Sequence, residues 1–281
     1  MKACIDCIPC FFEQAIRAGR MATKDDELIK KITDQLGLML SEISLDNSPP
    51  EIGRLIYKKV SEISGNPDPY HQLKFDCTKQ ALELYPTLER MVKKSNDPLL
   101  TAIRLAIAGN VIDFGANASF DMPATIDEVM NKDFAIFDYE LFKDNLKNSS
   151  EVLYIGDNAG ETVYDKLLIE QLNKPVIYAV RDKPVINDAT IDDAKQAGID
   201  KIAKIVSSGT DAPGAILNTC NEEFMKLLNS NMFVIAKGQG NYEGLSNERY
   251  KIFFLLKVKC KIIADHIGVK NGDIVLKGAN V

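Results

Sequence analysis

Residues 151–173, EVLYIGDNAGETVYDKLLIEQLN, contain the pattern that decides the fold. The short apolar run VLYI ends at Gly156, and a segment with apolar residues at helical spacing begins after Gly160. A strand, a glycine-containing turn and a helix in this order are typical of one βα unit in a parallel sheet. The turn itself contains Asp157 and Asn158, so it is either ordinary helix-cap chemistry or a place where a charged ligand binds.

The same pattern repeats through the C-terminal half of the chain. Further apolar runs are PVIYAV, KIAKIVSSG, MFVIAKG, FFLLKVK and DIVLKG, and helix-length segments separate the first ones. Nearly continuous apolar strands that alternate with helices predict a mostly parallel sheet covered on both faces. We therefore predict a doubly wound α/β domain with three layers, αβα, over residues 131–281.

The first part of the chain has a different pattern. Apolar residues recur at helical spacing in CFFEQAIRAGRMA, DDELIKKITDQLGLMLSEI and PPEIGRLIYKKVSEI, and turn residues such as those of DNSPP and SGNPDP separate the segments. This pattern predicts a helical bundle subdomain over residues 1–130.

Composition limits the function classes. The chain has 281 residues and a formal net charge of -6, which argues against a nucleic-acid partner. No apolar run reaches the ~18 residues of a membrane span. The N-terminus makes a poor signal peptide, because charged residues flank its short apolar patch. We therefore expect a cytoplasmic protein with no membrane partner. A homodimer is one of the oligomeric states that the sequence leaves open.

Polar side chains follow the predicted strands at the points where the strands end. Asp157 and Asn158 follow the first strand, Asp188 follows the second, Ser207 lies at the end of the third and Lys237 at the end of the fourth. Ligands of doubly wound sheets bind outside these ends. Carboxylate and amide oxygens suit Mg²⁺ or Mn²⁺, and lysines balance the charge of a phosphate. The pattern therefore favours metal-assisted chemistry on a phosphoryl group.

Two other interpretations stay open. A methyltransferase that uses S-adenosylmethionine would need an acid after the second strand to bind the ribose, and Asp182 stands there. Cys4, Cys7 and Cys10 have metal-ligand spacing, so they are candidates for zinc or part of an iron–sulfur cluster, in a structural or redox role apart from the carboxylates. Spaced three apart on a helix, they equally suit a small-residue packing stripe.

The motifs GDNAGE, VINDAT, SSGTDAPG, KGQGNYE and FLLKVKC occur in this order. As a set they resemble the metal-dependent damage-control phosphatases, a group once catalogued as domain of unknown function 89 and also called ARMT1-like. The segments CIPCFFEQA and AGNVIDFG are similar to those of its prokaryotic stand-alone members. The resemblance runs nearly end to end. It implies a helical bundle joined to a Rossmann-like α/β domain.

The resemblance also implies site residues. The family's metal ligands match Asp157, Asn158 and Asp188. Its substrate loop matches Gln239, Gly240, Asn241 and Tyr242. Its late phosphate-binding lysine matches Lys259 best, and the Asn and Asp beside its site match Asn110 and Asp113. The family motif often carries an acid where this chain has Gln239.

Family members hydrolyse phosphate monoesters of sugars and damaged metabolites with Mn²⁺, Co²⁺, Ni²⁺ or Mg²⁺, and a methyltransferase activity has been claimed for one eukaryotic branch. We therefore predict a divalent-metal-dependent phosphatase that acts on a small phosphorylated metabolite. In this hypothesis the ion, Lys237 and Lys259 bind the phosphoryl group, Ser207 adds a contact, and Glu161 or Asp113 orients a water molecule.

Overall fold

A computed structural model describes residues 1–111, 122–230 and 232–281. Three helices form its N-terminal layer: α1 (Cys7–Ala22), α2 (Asp26–Leu40) and α3 (Pro49–Ser64). Their starts follow local rules, since the Asp25 carboxylate accepts hydrogen bonds from the first turn of α2, and Ser48 and Glu51 form a capping box at α3. The apolar faces of these helices enclose a core of their own around Phe11 and Ile56.

The central sheet has seven strands. They are β1 (Phe134–Phe137), β2 (Val152–Ile155), β3 (Val176–Val180), β4 (Lys204–Ser207), β5 (Phe233–Lys237), β6 (Ile252–Lys257) and β7 (Ile274–Ala279). Their order is β1-β7-β6-β5-β2-β3-β4. Strands β2 to β6 are parallel, β7 pairs antiparallel with β6, and β1 is parallel to β7. The chain leaves β2 towards β3 and β4 and returns to the other side of β2 as β5. The topological switch point therefore lies between β2 and β5.

Helices cover both faces of this sheet. One face packs against α4 (His71–Lys94), α5 (Pro98–Val111), α6 (Met122–Asn131), α7 (Tyr139–Asn148) and α8 (Thr162–Leu172). The other face packs against α10 (Glu222–Asn229), α11 (Gly238–Leu245) and α12 (Lys261–Ile267). The short helix α9 (Ile191–Gln196) follows the β3 loop. The three-layer, mostly parallel α/β fold predicted from the sequence is confirmed.

The expected division after residue 130 stays a prediction. Helices α4 and α5 share one core with the sheet, whereas α1 to α3 have a separate core. Strand β1 was absent from the sequence-based prediction, because its four residues are only half-buried or exposed at the sheet edge and lack a buried strand's apolar run. Within the described part of the chain, the helices are too short or too polar to cross a membrane.

Candidate active site

A cavity of about 360 Å³ lies over the carboxyl ends of β2 and β5, at the switch point of the sheet. Its floor is polar and is formed by Asn110, Asp157, Asn158, Asp188 and Lys259. Helices α1 and α3 and the start of α4 cover it from the other side. The structure therefore brings the three predicted metal ligands to one wall of a single cavity.

Backbone pairing fixes Asp157 and Asn158 next to Asp188. The loop after β2 and the loop after β3 form an isolated antiparallel bridge between Asn158 and Asp188. The Asp157 carbonyl accepts a hydrogen bond of 2.7 Å from the Ala189 N–H, and the Ala159 N–H donates to the Asn187 carbonyl at 2.8 Å. Both loops are thus joined by main-chain hydrogen bonds, which hold the two aspartates close to each other.

Glu161 orients two amide side chains beside Asp157. Its Oε2 accepts hydrogen bonds from Asn110 Nδ2 at 2.9 Å and from Asn158 Nδ2 at 3.1 Å. The same two amides also donate to Asp157 Oδ2, at 2.7 and 3.2 Å. Because both NH₂ groups are used in this way, both amide oxygens turn away from the carboxylates. Asn110 Oδ1 is buried and has no hydrogen-bond partner within the described ranges.

Arg181, the first residue after β3, lies beneath the two aspartates. Its Nε donates to Asp188 Oδ2 at 2.7 Å, and its Nη2 lies 3.6 Å from Asp157 Oδ1. The guanidinium is buried, and Nη2 also donates to Asn241 Oδ1 at 3.1 Å. A fixed, planar donor of this kind orients the carboxylates.

Burial and mutual repulsion make the aspartates reluctant to ionise. Burial, followed by the charges of Glu161 and Asp188, raises the pKa of Asp157 to about 8, although Arg181 and Lys259 oppose the shift. Burial raises the pKa of Asp188 to about 6, against the opposing charge of Arg181. Both carboxylates would become more acidic beside an added positive charge, because opposite charges favour the ionised form.

Lys237 has a different place from the one predicted. Its ammonium is completely buried and donates to the Ala106 carbonyl at 2.8 Å, to Asp165 Oδ1 at 2.7 Å and to Glu161 Oε1. In the described structure it is not part of the cavity wall. The predicted contact between Lys237 and a phosphoryl group is therefore not supported. The side chain instead neutralises Glu161 and Asp165 from below.

Gly238 permits this packing at the start of α11. Its φ is 78°, in the left-handed region that favours glycine. A Cβ atom at this position would collide with the Asp157 carboxylate and would also press on the Asn110 amide. Glycine is thus required at position 238, because the backbone there lies directly against the Asp157 side chain.

The predicted substrate loop divides into two parts. Gln239 and Gly240 line the cavity, but Asn241 and Tyr242 do not belong to the described wall. The buried Asn241 amide donates to the carbonyls of Gly156 and Lys237, at 3.0 and 2.7 Å. Its oxygen accepts from Arg181 Nη2 and from the Ala215 N–H. The role predicted for Asn241 changes from substrate binding to holding the loops together.

Tyr242 and Ser207 also lie away from the predicted site. The Tyr242 hydroxyl forms a 3.0 Å hydrogen bond with His266 Nδ1, and its ring packs in the core beneath α11. Ser207 Oγ donates to Asp182 Oδ1 at 2.8 Å, outside the described cavity wall. Asp182 is therefore engaged with Ser207 and not with the cavity, so the ribose contact required by the methyltransferase interpretation has no support here.

Lys259 is the predicted lysine that reaches the cavity. It is exposed at the cavity wall, and no carboxylate of the described residues lies within salt-bridge distance of its ammonium. Its backbone N–H donates to Gln239 Oε1 at 3.0 Å, which joins the end of the β6 segment to α11. Asp113, predicted to lie beside the site, falls outside the described residues.

The three N-terminal cysteines do not converge. Cys4 Sγ and Cys7 Sγ are 3.7 Å apart, whereas Cys10 is exposed and accepts a hydrogen bond from Gln14 Nε2. Cys7 and Cys10 line the same cavity as the aspartates, and the structural or redox role expected for the cysteines stays a prediction. Across residues 1–111, 122–230 and 232–281, no three His, Cys, Asp or Glu side chains are placed to bind a metal. The set Asp157, Asn158 and Asp188 has only two carboxylates.

The sequence analysis did not predict the buried ion pairs of Lys237 with Glu161 and Asp165, which lie below the cavity floor. Asp165 Oδ1 and Oδ2 accept hydrogen bonds from the Tyr154 and Tyr178 hydroxyls, each at 2.7 Å. The available signal was the spacing of Glu161 and Asp165, four residues apart and hence on one helix face. An acidic pair of this kind usually faces water, but α8 is buried on nearly all sides.

Comparisons with known proteins agree with the geometry. Residues 3–275 match the model of the damage-control phosphatase ARMT1-like domain. An uncharacterized protein of Methanocaldococcus jannaschii is 36% identical, with 96% of this chain and 93% of that protein covered. A damage-control phosphatase of Pyrococcus horikoshii is 34% identical over 98% of this chain and 97% of its own length, and one of Archaeoglobus fulgidus is 32% identical over 99% of each.

A solved structure shows the same fold. The crystal structure of a protein of the domain of unknown function 89 family from Pyrococcus horikoshii superimposes with a TM-score of 0.91. It is 33% identical and covers 99% of both chains. The resemblance inferred from the sequence motifs is thereby confirmed, and the chain belongs to the damage-control phosphatase ARMT1-like family.

Proposed function

We propose that this protein is a metal-dependent phosphatase that hydrolyses phosphate monoesters of small metabolites. Support comes from membership of the family and from two relatives that bear the name damage-control phosphatase. The cavity adds independent support. Its volume of about 360 Å³ is near the lower end of the ~300–1,000 Å³ typical of small-molecule sites, so it suits a small metabolite.

The observation that carries the proposal is an excess of buried carboxyl groups over buried cations at and just below the cavity floor. Two buried cations lie among four buried carboxylates: Arg181 and Lys237 among Asp157, Glu161, Asp165 and Asp188. Buried charges need partners. Asn110 Oδ1 adds a buried acceptor that has no partner within the described ranges. A hard divalent cation would supply positive charge beside these carboxyl groups, because such ions prefer carboxylate and amide oxygens.

The residues that would hold the cation are Asp157, Asn158 and Asp188. Mn²⁺, Co²⁺, Ni²⁺ and Mg²⁺ all accept such ligands, and a bound ion would supply positive charge beside the oxygens of the phosphoryl group. The Asn158 amide is held by hydrogen bonds from its Nδ2 to Glu161 and Asp157, which fixes the side chain in place before an ion arrives. Glu161 is held in turn by Lys237.

The remaining side chains act on the substrate. In this proposal Lys259 contacts the phosphoryl oxygens, which is supported by the position of its side chain at the cavity wall, outside every described ion pair. Gln239 holds the Lys259 backbone through a 3.0 Å hydrogen bond, which positions the lysine. Helices α1 and α3 cover the floor and limit the access of bulk water, so charges at the site act over a lower dielectric.

A metal-restoration assay tests the proposal. The protein is stripped with a chelator and restored with Mn²⁺, Co²⁺, Ni²⁺ or Mg²⁺ singly, and phosphate release from p-nitrophenyl phosphate and sugar phosphates is measured. We expect activity to return with metal in the unchanged protein and to stay absent in Asp157→Ala. Circular dichroism checks that the variant is folded. Near-normal turnover in folded Asp157→Ala, or no turnover with any of the metals, would overturn the assignment.

A further inference from the structure

The loop between β3 and α9 contains a residue whose backbone conformation is unfavourable for its side chain. Ile186 has a φ of 40°, in the left-handed region that favours glycine. The other non-glycine residues with positive φ in the described part of the chain are Asn173 and Asn280, and asparagine tolerates this region. A β-branched side chain does not, so the conformation of Ile186 persists only because its surroundings hold it.

Ile186 lies in the turn that leads to Asp188. The Asp188 N–H donates to the Val185 carbonyl at 3.1 Å, which closes a turn with Ile186 in its second position. Turns with positive φ at this position are dominated by glycine, asparagine and aspartate. Asn187 follows directly, and its carbonyl accepts the 2.8 Å hydrogen bond from the Ala159 N–H. The conformation of Ile186 therefore sets the direction in which this loop meets the turn after β2.

The helical layer holds the Ile186 side chain. Ile186 is half-buried and packs against the core of α1 to α3. Tyr57 of α3 and Tyr70, just before α4, line the same cavity as Ile186 and belong to the same apolar cluster. Burial of the isoleucine side chain against this cluster is favourable, so it offsets the cost of the backbone conformation. The contact joins a layer with a core of its own to a loop at the carboxyl end of the sheet.

We propose that Ile186 is a positioning residue for the metal site: its packing on α1 to α3 holds the loop in a strained conformation that places Asp188 beside Asp157. The inference rests on the phosphatase function proposed above for the identity of the ligand. Without the packing, the loop would relax towards negative φ, and its main-chain hydrogen bonds to the turn after β2 would open more often. The helical layer thus covers the cavity and also holds one of the two loops that carry the aspartates.

Hydrogen exchange on chelator-treated protein tests the position of the loop without a metal. Isotope labelling of alanine alone allows NMR to follow Ala159 and Ala189, whose N–H groups bond the two loops together, with Ala81 in the buried part of α4 as the internal reference. We expect Ile186→Ala to raise the exchange rates of Ala159 and Ala189 at least about tenfold relative to that of Ala81. Ile186→Gly should raise them less than about threefold, because glycine adopts positive φ at little cost.

Ile43 provides the matched control. It is a half-buried isoleucine between α2 and α3 that packs against the same core, has no positive φ and lies outside the cavity wall. Ile43→Ala and Ile43→Gly remove the same side-chain atoms as the variants at position 186, and both should leave the relative exchange rates of Ala159 and Ala189 unchanged. In urea unfolding, Ile43→Gly should be less stable than Ile43→Ala, whereas Ile186→Gly should be more stable than Ile186→Ala.

Calorimetric titration with Mn²⁺ measures the consequence for the metal site. We expect Ile186→Ala to bind Mn²⁺ about tenfold or more weakly than the unchanged protein, with Ile186→Gly between the two and both Ile43 variants unchanged. Unchanged Mn²⁺ affinity in folded Ile186→Ala would overturn the inference. If the unchanged protein binds none of Mn²⁺, Co²⁺, Ni²⁺ and Mg²⁺, the phosphatase proposal fails, and hydrogen exchange still decides whether Ile186 positions the loop.

The exchange rates can also overturn the inference by themselves. Unchanged relative exchange of Ala159 and Ala189 in folded Ile186→Ala, or faster exchange in Ile186→Gly than in Ile186→Ala, would show that the packing of Ile186 does not hold the loop. If Ile186→Ala does not fold, Ile186→Val decides, because it removes a single methylene group. We then expect an increase of about threefold in the relative exchange rates, and no increase would overturn the inference.

Discussion

The turn after β2 and the first turn of α1 both contain closely spaced potential metal ligands, but only the first belongs to a convergent cluster. Asp157 and Asn158 meet side chains that come from α5, from α8 and from the end of β3. Cys7 and Cys10 lie on one helix, and the neighbour of Cys10 is Gln14 of the same helix. Close spacing in sequence supplies ligands, whereas a binding site also needs other elements to complete it.

The pKa values of acidic groups are raised in both regions. Burial raises the pKa of Cys7 to about 11. A thiol binds metal as the thiolate, so a metal at Cys7 would have to displace a strongly held proton. Asp157 and Asp188, with pKa values raised to about 8 and about 6, ionise near neutrality once a cation compensates their charge. The carboxylate region is therefore the one in which we expect a cation.

We expect the largest effect when a substitution in the carboxylate region is compared with substitutions of the N-terminal cysteines. Asp157→Asn removes one charge at nearly constant shape and should lower turnover by at least ~10³-fold, because the ligand set loses a carboxylate next to the reacting group. The triple variant with Cys4, Cys7 and Cys10 changed to Ser should keep turnover within about tenfold. Phosphate release at saturating metal and calorimetric metal affinity measure the two variants side by side.

Either of two results would contradict the contrast between the carboxylate region and the cysteines. A triple Cys→Ser variant that no longer binds metal, yet retains its circular dichroism spectrum, would move the metal to the thiols. An Asp157→Asn variant with unchanged metal affinity would remove the carboxylate from the ligand set. Thr33→Ala, at a half-buried position of α2 outside the cavity wall, controls for the effect of a substitution in the helical layer as such.

The second prediction contrasts two lysines at the same end of the sheet. Lys237→Met leaves Glu161 and Asp165 buried without their cation and should lower the free energy of unfolding by ~3–5 kcal/mol. Lys259→Met removes an exposed charge, so its unfolding free energy should change by less than about 0.5 kcal/mol. Its KM for a phosphate ester should nevertheless rise about tenfold or more. Urea unfolding and steady-state kinetics measure the two effects.

A reversed pattern would contradict the assignment of these roles. If Lys237→Met unfolds at the same urea concentration as the unchanged protein and loses only substrate affinity, then the buried ammonium has access to the substrate. If Lys259→Met has unchanged KM, another group neutralises the phosphate. Lys251→Met, at an exposed position just before β6 and outside the cavity wall, serves as the control for loss of one surface charge.

Lys237 and Lys259 show how much of the fold and of the site could be predicted from the sequence. The apolar runs predicted strands β2 to β7, and the rule on strand ends placed Asp157, Asn158 and Asp188 at one edge. Alternation along β5 also puts Lys237 on the face of Phe233 and Ile235. What the sequence could not show is that α8 presents two carboxylates on that face. That depends on how α8 packs, which a local pattern does not contain.

The sequence also could not predict that α1 and α3 cover the cavity. The spacing of apolar residues predicted α1 and α3 as helices, but no local pattern states which part of the sheet they cover. Cys7 and Cys10 were therefore expected apart from the carboxylates, although they line the same cavity. Asn241 was misassigned for a related reason, since its partners Gly156 and Arg181 lie 85 and 60 residues away in the chain.

The smallest expected effect is a change of stability with pH. We expect the carboxylates, and not the thiols, to cause it. Folding raises the pKa of Asp157 from 3.8 to about 8 and that of Asp188 from 3.8 to about 6. The folded, metal-free protein thus holds protons that the unfolded chain releases. Its free energy of unfolding should therefore fall as the pH rises from 6 to 8, by about 2 kcal/mol.

Urea unfolding of chelator-treated protein at pH 6 and pH 8 measures this fall. Burial raises the pKa of Glu243 to about 7, so this residue adds to the fall in every variant that retains it. The difference between the unchanged protein and Asp157→Asn isolates the aspartate, and we expect a shallower fall in the variant. The triple Cys→Ser protein should keep the full fall, because burial leaves Cys7 protonated across this range. An equal fall in the unchanged protein and in Asp157→Asn would show that the buried aspartate does not take up the proton, and the contrast between the two regions would then have to rest on packing alone.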